Sequence, residues 1–215
     1  MKANVLTDIG KLEYKEIDKP TLKDGYVLVK VRAAGICGSD IPRVYKDGAH
    51  KMPLVVGHEF AGDIVDTYSI DKSMVGKRVG VFPLIPCMKC EACASNHFEL
   101  CSDYDYLGSR SDGGMAEFVA VPEWNVIELP DNVSYENAAM LEPMCVAIHA
   151  IRRAGLGNYK DSNVLIYGLG TIGLLIVMIL ECAGFKNTYA VGNKAFQKNQ
   201  AVLMGPFSGP RSRLG

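Results

Sequence analysis

Four cysteines, Cys87, Cys90, Cys93 and Cys101, stand in one short Gly-, Pro- and polar-rich stretch in the pattern C-x2-C-x2-C-x7-C. Four thiolates at that spacing can close a tetrahedron around one Zn²⁺, whose filled d shell imposes no geometry of its own. Four unrelated buried thiols are the plain alternative, which this spacing disfavours. An iron–sulfur centre is the sharper rival, because C-x2-C-x2-C also opens ferredoxin motifs; there the next cysteine follows after three residues and precedes proline. Here the gap is seven and Ser102 follows, so zinc is expected. With every position filled by protein, that ion would be structural.

A second set of ligand types is dispersed. Cys37 stands in Gly35-Ile-Cys-Gly-Ser39-Asp40, His58 and Glu59 in Gly57-His-Glu-Phe-Ala-Gly62, and Glu142 in Leu141-Glu-Pro143. A catalytic zinc keeps three protein ligands and leaves one position open. Cys37 and His58 are the firm candidates. The third ligand is Glu59 or Glu142, with the other steadying the water in the open position. Cys145 and Cys182 lie in apolar, helix-like surroundings and are expected to be buried and inert. His50, His97 and His149 have no partner at ligand spacing.

A third constellation is Gly168-Leu-Gly170-Thr171-Ile172-Gly173, directly after an apolar run. Alone, G-x-G-x-x-G is a weak signal, equally a plain glycine turn. Between a strand and a helix, its glycines let backbone N–H groups approach a pyrophosphate at the helix N-terminus. An acid about twenty residues on normally grips the ribose hydroxyls. Asn193 stands there instead, able to bond a hydroxyl, and Lys194 could attract a 2′-phosphate, so NAD and NADP both stay open.

The elements that must carry these residues change character along the chain. Up to Pro130 the pattern is β-rich: Val27, Val29 and Val31 alternate with Leu28, Lys30 and Arg32, the period of a half-buried strand. Further strands are expected at 3–6, 12–17, 60–65, 77–81, 116–121 and 126–129, separated by turns at Gly25, Gly48, Gly76 and Gly113. After Pro130, Ser134 is expected to cap a short helix, and Pro143 to begin a second that ends before Gly155. A strand over 163–167, a helix over 171–182, a strand over 187–191 and a helix over 195–204 then read as β-α-β-α, the opening of a parallel sheet. Residues 205–215 are Pro/Gly-rich, basic and aperiodic. They are expected to be a non-native or disordered tail, and the chain a truncated product, a fragment or a frame error.

The 215 residues carry a formal charge of −1, which gives no electrostatic reason to expect nucleic acid or an anionic membrane surface. A small-molecule substrate is expected. The start does not resemble a signal peptide, so a cytoplasmic setting is expected in which the seven cysteines stay reduced. Val164 to Leu180 is uncharged, but its three glycines argue for a strand, turn and helix rather than a membrane span.

In this order, over about residues 1–204, these motifs resemble the zinc-dependent medium-chain dehydrogenase/reductase family. Leu141-Glu-Pro143 is similar to its polyol branch rather than to classical alcohol dehydrogenases, which have cysteine there. The resemblance implies an α+β part followed by an α/β part: a GroES-like β-barrel catalytic domain over 1–140, then an incomplete Rossmann (doubly wound parallel) domain over 141–204. It implies two Zn²⁺ per chain, one structural and one catalytic, the latter held by Cys37, His58 and Glu142 with Glu59 beside it. Ser39 would sit near the substrate hydroxyl in a proton path, and Gly168, Gly170, Thr171, Ile172, Gly173 and Asn193 would hold NAD or NADP. The implied reaction oxidises a secondary alcohol of a polyol or polyol phosphate, with Arg43 and Arg110 as cations for a phosphate. The full-length form would be a dimer or tetramer. Rival expectations are a zinc dehydrogenase for threonine, butanediol or a simple alcohol, and a non-catalytic zinc-binding fragment.

Overall fold

The computed structural model describes residues 1–157 and 159–204, so the tail expected over 205–215 lies outside the described residues. The chain forms two compact units, Met1–Glu142 and one that begins at Pro143. The first is built from β1 (Lys2–Asp8), β2 (Lys11–Glu16), β3 (Tyr26–Ala34), the single-turn helix α1 (Asp40–Pro42), β4 (Leu54–Val55), β5 (Phe60–Thr67), β6 (Arg78–Val81) and β7 (Leu84–Ile85). Helix α2 (Glu91–Ala94), β8 (Asp105–Tyr106), β9 (Phe118–Pro122), β10 (Val126–Glu128) and helix α3 (Tyr135–Ala139) complete it. Helix α4 (Leu141–Arg153) contains the boundary. The second unit continues with β11 (Asn163–Tyr167), α5 (Thr171–Cys182), β12 (Asn187–Val191) and α6 (Ala195–Met204).

An antiparallel sheet in the order β10-β6-β5-β3-β9 and a smaller one, β2-β1-β4, make a half-barrel. Its core is Val27, Val29, Phe60, Ile64, Val79, Val119 and Val121, all almost without solvent contact. Alternation along β3 places Val27 and Val29 inward and Lys30 outward. The strand departs from strict alternation at Leu28, which is buried too. Helix α3 packs across β3 and β5, so this sheet is not simply solvated on its second face. Ser134 caps α3 as expected, its hydroxyl accepting from the Asn137 N–H at 3.2 Å.

The strand pair β3–β5 explains how the first two motifs meet. Ala34, the last residue of β3, pairs with Phe60, the first of β5. Cys37 therefore leaves the same sheet end at which His58 and Glu59 arrive. A register shift between Val31 and Ala33 adds a bulge close to that end, a device that re-aims side chains beside functional sites.

In the second unit β11 and β12 run parallel, in register from Asn163–Asn187 to Tyr167–Val191. Val177 and Leu180 of α5 pack with Ile166 and Ala190 of the two strands. On the opposite face of β11, Leu165 and Tyr167 are 65% and 90% exposed.

Three expectations are corrected. Helix α4 begins at Leu141 rather than Pro143; the first four N–H groups of a helix have no internal acceptor, so proline at the third position forfeits no bond. Cys145 is exposed. The buried residues of α4 are Pro143 and Ala147, and Cys145 lies two residues from each, about 200° round the helix at 3.6 residues per turn. Cys182, also exposed, is the final residue of α5, beyond the buried stretch that ends at Leu180. No helix among the described residues is long and apolar enough to cross a membrane.

Candidate metal centres and nucleotide turn

The ligand atoms of Cys37, His58 and Glu59 all lie within 4.8 Å of one another. His58 and Glu59 are buried, and Cys37 is half-buried. Gly35 makes room for this arrangement: a Cβ there would stand 2.3 Å from Glu59 Oε2. The Gly35 N–H also donates to the Glu59 carbonyl at 2.7 Å, tying the two motifs together. Ser39, exposed beside them, donates its hydroxyl to Cys37 Sγ at 3.3 Å.

Electrostatics support a cation at this point. Burial pushes the Glu59 carboxyl above its usual range, and the neighbouring Glu142 and Asp40 carboxylates push the same way, against the opposing pull of His58 and a hydrogen bond with Cys37. His58 Nδ1 is buried without a hydrogen-bond partner, 3.6 Å from Asp40 Oδ1. A buried imidazole with an orphaned nitrogen, beside a thiol and a carboxylate, is a donor set that suits zinc.

Glu142 does not join that set. Its Oε1 accepts from the Tyr106 hydroxyl at 3.1 Å, and among the described residues the grouped donors are Cys37, His58 and Glu59. Asp40 and Tyr106 are the participants the motifs did not single out. Asp40 is 3% exposed, accepts from the Cys37 N–H at 3.1 Å through Oδ2, and pairs with Arg43 at 2.5 Å through Oδ1. Its place three residues after Cys37, in a turn of helix, was the available signal. Tyr106 packs edge-on against His58 with ring centroids 5.8 Å apart, and no spacing in the sequence announces it.

The other cysteines converge fully. Cys87, Cys90, Cys93 and Cys101 form one group, with Sγ–Sγ separations of 3.5 Å for Cys90–Cys93, 3.9 Å for Cys90–Cys101 and 4.0 Å for Cys87–Cys93. A tetrahedron with metal–sulfur bonds of about 2.3 Å has edges of about 3.8 Å, so the cage fits a zinc ion. Backbone N–H groups of Cys93 and Ser102 lower the Cys90 thiol to about 6, toward the thiolate that a metal needs, whereas burial and the neighbouring cysteines push the Cys93 thiol up. Cys90 opens α2 as its N-cap, and Cys101 closes the turn Phe98–Leu100. Phe98 packs edge-on against Trp124 at 5.1 Å, and Trp124 against Phe82 at 5.8 Å, which anchors the lobe to the barrel.

In the second unit the glycine turn has the form expected of it. Gly168 takes φ +104, in the region that favours glycine, and its N–H donates to the Val191 carbonyl at 2.8 Å. A Cβ at Gly173 would stand 1.9 Å from the Gly168 carbonyl oxygen, so only glycine lets the helix approach the strand. Cβ atoms at Gly168 and Gly170 would meet nothing within 4 Å, leaving open space at the start of α5. Gly170 is the N-cap without a side-chain bond, and the first turn holds no acid. Thr171 is exposed, Ile172 half-buried, and Asn193 exposed just past β12. The cradle and its free N–H groups fit a pyrophosphate.

A half-barrel carrying an open thiol–imidazole–carboxylate set and a closed tetrathiol lobe, followed by a β-α-β glycine turn, defines a zinc-type medium-chain dehydrogenase architecture. Residues 23–131 match the family model of the alcohol dehydrogenase GroES-like domain, and the chain belongs to that family. It is 39% identical over 193 residues to galactitol 1-phosphate 5-dehydrogenase of Escherichia coli (strain K12), covering 89% of this chain and 55% of that protein. To sorbitol dehydrogenase of Bacillus subtilis (strain 168) it is 36% identical over 191 residues, 86% of this chain and 53% of the relative. Among solved structures, galactitol-1-phosphate dehydrogenase from Escherichia coli superposes with TM-score 0.88 at 37% identity, over 95% of this chain and 59% of that one. The alcohol dehydrogenase rspB from Escherichia coli CFT073, complexed with NADH, gives TM-score 0.88 at 33% identity, over 95% and 60%. The chain spans about half the length of the curated relatives it matches.

Proposed function

We propose that this chain supplies the alcohol-binding and first nucleotide-binding parts of an NAD- or NADP-dependent zinc dehydrogenase. Its reaction oxidises a secondary alcohol of a polyol or polyol phosphate to a ketone. The observation that carries this is the three-donor set Cys37–His58–Glu59, one short of the four that would close a tetrahedral site, beside the closed four-thiol cage.

Zinc bound at the open set would act as a Lewis acid toward a substrate hydroxyl. The chain's own residues have separate tasks. Asp40 holds the Cys37 turn through the Cys37 N–H and faces His58. Ser39, exposed and bonded to Cys37 Sγ, is placed to pass the hydroxyl proton outward. Gly168, Gly170 and Gly173 receive the pyrophosphate, with Thr171 and Ile172 in the first turn of α5 and Asn193 meeting a ribose hydroxyl. Arg43 is engaged with Asp40, whereas Arg110 lies 4.4 Å over the Tyr104 ring and is the better cation for a substrate phosphate. The likeness to the galactitol 1-phosphate and sorbitol enzymes supports the substrate class. The same likeness supports a homo-oligomer acting on a small molecule.

Oxidation of galactitol 1-phosphate, sorbitol, xylitol, butane-2,3-diol and threonine, with NAD⁺ or NADP⁺ and reduced nicotinamide as readout, tests this. The polyols and the polyol phosphate are expected to lead. Preference for threonine or butanediol would contradict the substrate class.

A further inference from the structure

Two carboxylates neighbour each other near Cys37 and His58: Glu142 pushes the Glu59 carboxyl up, and Glu142 itself accepts from the Tyr106 hydroxyl. We propose that Tyr106 is a positioning residue that holds Glu142 away from the metal donors, so that Glu59 completes the three-donor set. The inference deepens the zinc-site reading above and rests on it.

Tyr106 is placed firmly enough for this task. It ends β8, which pairs with β7 through Leu84–Tyr106 and Ile85–Asp105. Its carbonyl collects three backbone N–H groups, from Ser109 at 3.2 Å, Arg110 at 2.8 Å and Ser111 at 3.1 Å, so the following turn winds around it. That turn is registered against the residue preceding His58. A Cβ on Gly108 would stand 2.3 Å from the Gly57 carbonyl oxygen, and one on Gly113 2.0 Å from the same atom. The Gly114 N–H donates to that carbonyl at 2.8 Å. Backbone therefore packs on backbone between the Tyr106 turn and the His58 turn, with no flexible side chain between them to absorb a shift.

The ring continues the constraint, edge-on to His58 at 5.8 Å, and its hydroxyl donates to Glu142 Oε1 at 3.1 Å. A carboxylate that accepts such a bond gives it up on moving to a metal. The phenol thus biases Glu142 toward waiting and leaves Glu59 as the resident donor. Removing only the hydroxyl frees Glu142 while the ring and its packing remain.

The test replaces the more labile ion with Co²⁺, whose visible absorption reports its donor set, in the full chain and in Y106F, E59Q, E142Q, Y106F/E59Q and Y106F/E142Q. Competition with a chelator gives each Co²⁺ affinity. Relative to the unaltered chain, E59Q is expected to weaken Co²⁺ binding by on the order of 100-fold or more, beyond the effect typical of an outer partner. In the Y106F background the same change is expected to cost at least about tenfold less, because Glu142 takes the vacated place. Y106F should alter the Co²⁺ spectrum, and Y106F/E142Q should restore it, a reversal that a merely structural tyrosine would not produce. Continued metal occupancy of the Cys87 cage serves as the folding control. Additive losses for Y106F and E59Q, or an unchanged Y106F spectrum, would overturn the latch while leaving the zinc reading intact. A chain that takes up Co²⁺ at the four-thiol cage alone would overturn both.

Discussion

Glu59 carries the clearest consequence at the level of single residues. Burial raises its carboxyl pKa above the ordinary value, with Glu142 and Asp40 adding to the effect. A group raised on folding contributes stability that is present below its unfolded value, near 4.5, and lost as pH rises through its folded value. With the open site stripped by mild chelation, Glu59→Gln is therefore expected to raise the melting temperature at neutral pH and to leave it nearly unchanged near pH 4. A lower melting temperature at neutral pH would show that Glu59 is not held against its preference. Residue by residue, the four-thiol cage was legible because its ligands are close in sequence. Cys37 and His58 were legible because each sits beside glycines that a ligand turn needs. That Glu59 groups with them while Glu142 bonds a phenol thirty-six residues away was not, because no local spacing marks that contact.

Among the elements, the turn after β8 matters more than its length suggests. Gly108 takes φ +76 and leaves no room for a Cβ beside the Gly57 carbonyl. Gly108→Ala meets both penalties. Left-handed backbone costs an L-residue about 1–2 kcal/mol and overpacking typically about 1–3 kcal/mol, so a loss of at least about 2 kcal/mol is expected. The collision is with the residue before His58, so the loss should come with weaker metal binding at Cys37–His58–Glu59 and unchanged occupancy of the Cys87 cage. Equilibrium denaturation with metal analysis checks this; a stable variant with both sites intact would contradict the packing described. Strands and helices were largely legible from alternation and turn glycines, and those of the second unit fall on the expected residues. What composition could not show was direction. Leu28 is buried against the simple alternation, and Cys145 turns away from the buried line of its helix.

Across the whole molecule, two solutions to metal binding sit in one half-barrel. The Cys87 lobe offers a metal four thiols from a single loop and is tied to the barrel by Phe98 and Trp124. The Cys37 set draws on two strand ends and supplies three donors. A closed cage should hold its ion tightly, and an open one should exchange. The second unit adds the glycine cradle on a parallel strand pair, a placement visible in the sequence because strand, turn and helix are contiguous there. Zinc content of the pure chain, before and after mild chelation with the fold followed by circular dichroism, tests the account most directly. Close to two zinc ions per chain are predicted, matching the two donor groups, with one leaving while the secondary structure stays. Iron in the cysteine lobe, a single zinc, or two ions lost only together with the fold would contradict it.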